Sequence, residues 1–281
     1  ARALCWAAAW DMTRDAEMAT RDYVRTVIHL LDAETDVGVL QSVLRQARLA
    51  VERWADPSFV EPGLDMLAAA ALAHMREAEP GSDHQLAFLR AFAANANSAE
   101  HLDTVASIYA GDTVLPALPL DTDLRWSLLS RLATHGRAAA ADIDTELARD
   151  DTSAGRRHAA AVRAALPTVE AKERAWHLVV ERADTHNAEI SAILGGFQQA
   201  NQLELLAPYA DRYFDAIAEI WESRTGDTAR TIADLAVADL AIEQLTIDKF
   251  NDYLRNAQPP AVLRRILVEH RDSLARALRA R

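Results

Sequence analysis

Most of this chain is built from residues that favour helices. Alanine supplies 58 of the 281 residues, whereas glycine and proline supply nine each and aromatic residues only 6%. Alanine has the highest intrinsic helix propensity, and strands are normally rich in β-branched and aromatic residues. No segment longer than about four residues alternates apolar and polar side chains in the way that a half-buried strand does. We therefore predict an all-α protein.

The few glycines and prolines fall between segments with helical periodicity, where helices are expected to begin or end. They divide the chain at Asp56-Pro57, Glu61-Pro62-Gly63, Pro80-Gly81, Pro116, Pro119, Gly136, Pro167, Pro208, Gly226 and Pro259-Pro260. Gly195-Gly196 stands apart from these and predicts an interruption within a helix. Within the segments, apolar residues recur every three or four positions, as in helices that bury one face. The clearest stripes are Tyr23, Val27, Leu30 and Leu31; Leu40, Leu44, Ala47, Val51 and Trp54; and Tyr209, Tyr213, Ile217, Ile220 and Trp221.

Between residues 121 and 225 the predicted helices form consecutive pairs: 123–135 with 139–149, 152–165 with 168–183, and 187–205 with 208–223. The step from pair to pair is roughly 30–40 residues, as in HEAT-like and other helix-pair repeats. A single compact helical bundle would show the same stripes, but about fifteen helices are too many to share one core. We predict one domain over residues 1–281, an α–α superhelix of antiparallel helix pairs with a concave, bowl-like face.

Charge and cysteine content argue against several partners and compartments. The formal net charge is −12, whereas nucleic acids and anionic membranes select an excess of lysine and arginine. No uncharged run approaches the ~20 residues that cross a bilayer, and no signal peptide is visible. The single cysteine, Cys5, cannot form an internal disulfide and favours a reducing compartment. We expect a cytoplasmic protein in which Cys5 is buried as a small apolar residue.

We find no local catalytic or metal-binding motif in the sequence. None of the nine histidines belongs to a His-Glu-x-x-His motif, which places two imidazoles one helical turn apart. One cysteine cannot form a Cys-x-x-Cys zinc site. The best remaining group is Glu173, His177 and Glu181 on one helical face, for which a solvated surface is the simpler interpretation. We expect no catalytic and no metal-binding residue in this chain.

Four basic residues are candidates for contact with a substrate: Arg125, Arg156, Arg157 and Lys172. Arg156 and Arg157 follow a predicted helix start, where the helix dipole disfavours positive charge. They either face solvent or grip the carboxylate of a peptide, as arginine does in bidentate fashion. Lys172 and Trp176 lie one turn apart. Either Trp176 enters the core beneath the lysine stem, or Lys172 pairs with a buried acid.

The order Asp151-Thr152-x-x-Gly155, Pro167, Lys172 and Ala175-Trp176 resembles the C-terminal helical domain of zinc-dependent aminopeptidases of the aminopeptidase N family. Thr152 and Thr168 stand where side chains cap helix starts. The likeness extends to Trp6-x-x-x-Trp10-Asp11-Met12-x-Arg14-Asp15, Leu124-Arg125-Trp126, Phe197-Gln198-Gln199, Pro208-Tyr209 with Tyr213-Phe214 and Trp221, and the ending Arg271–Arg279. In this resemblance Asp151, Gly155, Trp176, Tyr209 and Trp221 are structural positions.

The resemblance implies that this chain has no catalytic role of its own. Members of the family release N-terminal residues from peptides with a zinc-bound water and a glutamate base. Their Gly-x-Met-Glu-Asn and His-Glu-x-x-His motifs are missing here, so no catalytic residue is carried over. The zinc is then expected in the parent enzyme. The implied partners are an N-terminal catalytic domain of the same polypeptide and peptide substrates.

The resemblance further implies a helical bowl that covers the active site and limits access to it. Because the sequence opens inside an apolar helical pattern, we expect it to be a piece of a longer polypeptide. Two alternative functions, each from a different class of protein, stay open at this point. One is a freestanding helical-repeat adaptor that binds a protein or peptide, and the other is a helical enzyme whose site residues are dispersed along the chain.

Overall fold

A computed structural model describes residues 2–237 and 241–281, and every regular element within them is helical. The all-α prediction is confirmed. No helix in these two ranges has the length and apolar character needed to cross a membrane. The α-helices are α1 Arg2–Arg14, α2 Thr20–Leu30, α3 Val37–Arg53, α4 Val60–Glu77, α5 Asp83–Asn95, α6 Ala99–Ala110, α7 Thr122–Thr134, α8 Ala140–Arg149, α9 Ser153–Ala165, α10 Val169–Trp176, α11 Asn187–Phe197, α12 Leu203–Ser223, α13 Gly226–Leu235, α14 Gln244–Asn256 and α15 Ala261–Ala280. Short 3₁₀ turns at Leu31–Ala33, Pro57–Phe59 and Ala200–Gln202 and a π-helical turn at His177–Glu181 join some of them.

The chain divides into two compact units. The first comprises Ala1–Leu132 together with Arg279–Arg281, and the second comprises Ala133–Leu278. The predicted helix pairs correspond in order to α7 with α8, α9 with α10, and α11 with α12. A single bowl-shaped domain over residues 1–281 would require a particular arrangement of the two units, and it stays a prediction.

The core of the first unit follows the predicted stripes. Tyr23 and Val27 of α2 are fully buried. The stripe that runs along α3 to its C-cap is at most 5% exposed: Leu40, Leu44, Ala47, Val51 and Trp54. Leu30 departs from the prediction, because it is 40% exposed whereas Leu31 is only 3% exposed. The α-helix ends at Leu30 and a 3₁₀ turn begins at Leu31. This change of helical geometry turns Leu31, and not Leu30, towards the core.

Cys5 is exposed, so the prediction of a buried thiol was wrong. Trp6, the next residue of α1, points into the first unit and is 8% exposed. Successive residues of an α-helix point about 100° apart. Cys5 therefore faces outwards although its neighbours along the chain are apolar.

Arg281 binds the C-terminal end of α3 in the first unit. The side chain of Arg281 donates from Nε to the carbonyl oxygen of Arg53 and from Nη2 to that of Glu52, each over 3.1 Å. Both carbonyls lie in the last turn of α3, where they lack partners within the helix and where a positive charge is favourable. Arg281 thus serves as a C-cap for a helix that lies far from it in sequence.

Gly195-Gly196 does not interrupt a helix, contrary to the prediction, because both residues lie inside α11. A Cβ atom at Gly196 would lie 1.9 Å from the carbonyl oxygen of Ala161 in α9. The two helices therefore approach each other too closely for any side chain at this position. The glycine marks a helix contact and not a turn.

Pro208 does not begin a helix, contrary to the predicted helix 208–223, because it lies inside α12, which begins at Leu203. A proline in a helix interior removes one backbone hydrogen bond and costs about 3 kcal/mol. The helix nevertheless continues, since Tyr209, Tyr213 and Ile217 bury one continuous stripe across this point. Trp221, at the end of that stripe, is only half-buried.

Candidate functional site

The segment that carries the family resemblance folds into two helices capped by hydroxyl groups. Thr152 Oγ1 accepts the N–H of Gly155 at 3.0 Å, and Thr168 Oγ1 accepts the N–H of Ala171 at 3.2 Å. Both predicted caps are confirmed. A Cβ atom at Gly155 would lie 1.9 Å from the carbonyl oxygen of Asp150. Only glycine fits this helix start, which explains its place in the motif.

Lys172 is fully buried, at 0% exposure, beside the ends of two helices. Its Nζ donates to the carbonyl oxygens of Ala164 at 2.8 Å and Phe197 at 3.0 Å. These carbonyls belong to the last turns of α9 and α11, where helix dipoles favour a cation. The amine pairs with backbone oxygens and not with a buried acid.

The burial of Lys172 has two consequences. It lowers the pKa of the amine to about 8, because a charged group loses its hydration in the core. It also leaves no surface for a peptide to touch. We therefore assign Lys172 a structural role and do not carry it forward as a substrate contact.

Gln202 completes a junction of helix ends that the sequence analysis missed. Its Nε2 donates to the carbonyl oxygens of Thr134 at 2.9 Å and Ala165 at 2.8 Å, the last residues of α7 and α9. With Lys172, it ties together the C-terminal ends of α7, α9 and α11. A glutamine before a helix carries no local signal for such a role, since its partners come from distant helices.

Trp176 and Tyr209 form an aromatic surface on which Arg212 stacks. The two ring centroids are 5.2 Å apart, and the guanidinium carbon lies 5.2 Å from the Trp176 centroid and 4.8 Å from that of Tyr209. Glu173 Oε1 accepts from the Tyr209 hydroxyl at 2.8 Å and from Arg212 at 2.6 Å. The hydrogen bond from Tyr209 is the main cause that lowers the pKa of Glu173 below its ordinary value.

Glu173, His177 and Glu181 do not form a metal centre. His177 Nδ1 lies 2.7 Å from Glu181 Oε2, and Glu181 Oε1 lies 3.6 Å from Arg212 Nη2. Glu173 is held by Tyr209 and Arg212, so its carboxylate does not converge with the other two groups. Within residues 2–237 and 241–281, no group of three or more His, Cys, Asp or Glu side chains could hold a metal ion.

The three predicted arginines lie on two helices, Arg125 on α7 and the other two on α9. Arg125 of α7 is half-buried, with its guanidinium carbon 4.7 Å from the ring centroid of Tyr109. Arg156 and Arg157 are exposed on the first turn of α9. Arg156 pairs with Asp151 at 2.7 Å, which offsets its unfavourable position at the positive end of the helix dipole.

A groove of about 520 Å³ lies between α3 and α5 in the first unit. Its floor is apolar and includes Leu44, and its walls carry Arg45, Arg48 and Arg90. Arg48 pairs with Glu52 at 2.9 Å. Three arginines gathered in a chain of net charge −12 make this a local site of positive charge.

The groove also contains a buried amide with an unused acceptor. Asn95 lines it and is 2% exposed; its Nδ2 donates to the carbonyl oxygen of Ala91 at 2.8 Å. In the part of the chain that the structure describes, its Oδ1 is buried without a hydrogen-bond partner. Such a group costs about 1–3 kcal/mol, and the oxygen has too little exposed area for a ligand in the groove to reach it. The sequence analysis missed this groove because it arises only when α3 and α5 pack together.

Comparison with known proteins finds relatives over nearly the whole chain. Residues 1–276 match the family model described as the ERAP1-like C-terminal domain. The chain is also 47% identical over 279 residues to a protein of Streptomyces lividans named "Aminopeptidase N". That match covers 99% of this chain but 33% of the relative. The chain therefore spans about a third of the length of this relative.

Proposed function

Because this chain belongs to the family of ERAP1-like C-terminal domains, we propose that it is the C-terminal domain of a zinc aminopeptidase of the aminopeptidase N type. The match of 99% of the chain to one third of such a protein carries the proposal. A separate catalytic domain of the same polypeptide releases N-terminal amino acids from peptides. The helical domain covers that active site and controls which peptides reach it.

Zinc belongs to the catalytic domain in this proposal. When bound there, the metal supplies an activated water and polarises the peptide carbonyl. The group of Glu173, His177 and Glu181 does not fit such a site, since the two carboxylates are held by Tyr209, His177 and Arg212. The chain contributes binding surface and no reacting group.

The groove between α3 and α5 is the surface that suits the far end of a peptide. Arg45 and Arg90 are exposed on its walls, and arginine binds a terminal carboxylate with two parallel hydrogen bonds. Arg125, Arg156 and Arg157 remain candidates for further contacts with substrate.

The first test asks whether this chain has activity of its own. The purified chain should bind no stoichiometric zinc and release no amino acid from an aminoacyl reporter. Zinc content is measured after repurification, together with reporter turnover in the presence of added zinc. Metal-dependent turnover that survives repurification would refute the assignment of catalysis to another domain.

The second test concerns the groove in the intact enzyme. Arg45→Ala with Arg90→Ala should reduce kcat/KM for a long peptide with a free C-terminal carboxylate by roughly tenfold, since a charge-assisted hydrogen bond contributes about 1.5–3 kcal/mol. The same variant should leave the C-terminally amidated peptide nearly unchanged. Arg265→Ala is the matched control, because that side chain is 79% exposed and pairs with Glu269 on α15. Equal effects on the acid and the amide would exclude the groove as the carboxylate site.

A further inference from the structure

The first helix, α1, is apolar on both of its sides. Its eight consecutive residues from Ala3 to Trp10 carry no charge. The inner side packs on α2 and α3, with Trp6 buried and the ring of Trp10 5.3 Å from that of Trp54. A helix that is apolar all round is normally buried all round. The outer side of α1 is nevertheless exposed.

The exposed side presents one continuous apolar stripe, formed by Leu4, Cys5, Ala8 and Met12. Positions i, i+1, i+4 and i+8 lie on the same face of an α-helix. Leu4 is 76% exposed and Met12 43%, and Cys5 and Ala8 are exposed between them. Asp11 stands at the edge of the stripe and lies 3.8 Å from Arg14, which partly neutralises its charge.

We propose that this outer stripe of α1 docks onto the domain that precedes it in the intact enzyme, where Leu4, Cys5, Ala8 and Met12 become buried. The inference rests on the proposed function. The matched relative extends well beyond this chain, which covers only 33% of its length. A domain joined ahead of α1 would be tethered within a few residues of the stripe. Tethering raises the effective concentration to the order of millimolar, so a small apolar surface suffices.

A second copy of this chain is less suited than the preceding domain to cover the stripe. Each copy carries a formal net charge of −12, and like charges oppose the close approach of two such chains. Two copies also lack the tether that favours a domain of the same polypeptide. Dimerisation through α1 is therefore an outcome that counts against the proposal.

Cys5 reports directly on the docking, because it lies in the stripe and is the only cysteine of this chain. The full-length enzyme and this chain are treated with N-ethylmaleimide, and modification of the peptide that contains Cys5 is followed by mass spectrometry. We expect labelling in the full-length enzyme to be slower by about tenfold or more, as for a thiol that reacts only after local opening. Equal labelling rates in the two proteins would overturn the proposal.

A pair of substitutions provides a second readout. Leu4→Asp should lower the Tm of the full-length enzyme by about 2–4 °C or more while leaving the Tm of this chain unchanged. Val114→Asp is the matched control, because Val114 is 80% exposed in the first unit but lies outside α1. It should leave both proteins unchanged. A loss of Tm in the full-length enzyme that is the same for both variants would contradict docking through α1.

The outcomes separate this proposal from the proposed function. Aminopeptidase activity is measured on the same full-length samples that are labelled. If the full-length enzyme is active and its Cys5 is labelled as fast as Cys5 of this chain, the docking proposal is refuted and the proposed function is not. Protection of Cys5 in a full-length protein without aminopeptidase activity refutes the proposed function and supports the docking. If Cys5 of the isolated chain becomes protected from labelling as the concentration of the chain rises, a second copy covers the stripe, and this outcome refutes the docking proposal.

Discussion

At the scale of single residues, Lys172 illustrates why a conspicuous position need not be a ligand site. The resemblance drew attention to this lysine, yet its amine is occupied by the carbonyl oxygens of Ala164 and Phe197. These partners lie eight and 25 residues away in sequence. No local pattern links a lysine to two helix ends, so the role could be found only from the packed structure.

Replacing this amine should destabilise the fold. Lys172→Met keeps the apolar stem but leaves two buried carbonyls without a donor, which should lower the free energy of unfolding by about 2–4 kcal/mol. Urea unfolding at neutral pH measures the change. The control is Lys249→Met, at the other lysine of the chain, which forms a surface ion pair with Asp211 and should lose about 1 kcal/mol or less. A similar loss for both variants would contradict the role given to Lys172.

The pH dependence of stability provides a separate test of the burial of Lys172. Burial lowers the pKa of Lys172 from 10.5 to about 8 in the folded state. Between these two values the unfolded chain binds more protons than the folded chain, so stability should rise with pH. Below pH 8 the amine is charged in both states and no change is expected from it.

The difference in free energy of unfolding between the wild type and Lys172→Met isolates this group, because other titrating residues cancel. We expect the advantage of the wild type to be constant on the acid side of this pKa and to widen from there up to about pH 10.5, the ordinary pKa of lysine. Denaturant unfolding across this pH range measures it. An advantage that narrows as the pH rises would show that the folded state favours the charged amine.

At the scale of helices, periodicity predicted the elements better than glycine and proline predicted their ends. Gly136 has a φ of +69° and follows the end of α7, as a left-handed residue after a helix should. Gly196 looks the same in the sequence but lies within α11 against Ala161. A glycine can supply either a turn or a close contact between helices, and only tertiary packing distinguishes the two.

Adjacent glycines of α11 allow a matched pair of substitutions. Gly196→Ala places a methyl group against the backbone of Ala161 and should destabilise the protein by about 1–3 kcal/mol or more. Gly195→Ala meets no atom within 4 Å and should be neutral or stabilise by up to about 1 kcal/mol through helix propensity. Thermal unfolding of the two variants distinguishes them. Equal effects would contradict the close approach of α9 and α11.

At the scale of the whole molecule, composition and periodicity sufficed for the fold class, and the order of motifs sufficed for the family. The candidate groove could not be predicted from the sequence, because Arg45 and Arg90 lie on helices separated by α4 and come together only when these helices pack. The C-terminal Arg281 likewise belongs with the first unit, a long-range relation that no local pattern encodes. Sequence reasoning therefore found the scaffold and the family but not the surface that we propose receives substrate.

The most direct test of the proposed role compares the full-length enzyme with a version from which this domain has been removed. The measurement is kcat/KM over a series of peptides of increasing length, with a short aminoacyl reporter and bound zinc confirming an intact catalytic domain in both. Removal should abolish the dependence of kcat/KM on peptide length while activity on the short reporter persists. A length profile that is the same with and without the domain would contradict control of peptide access by this chain.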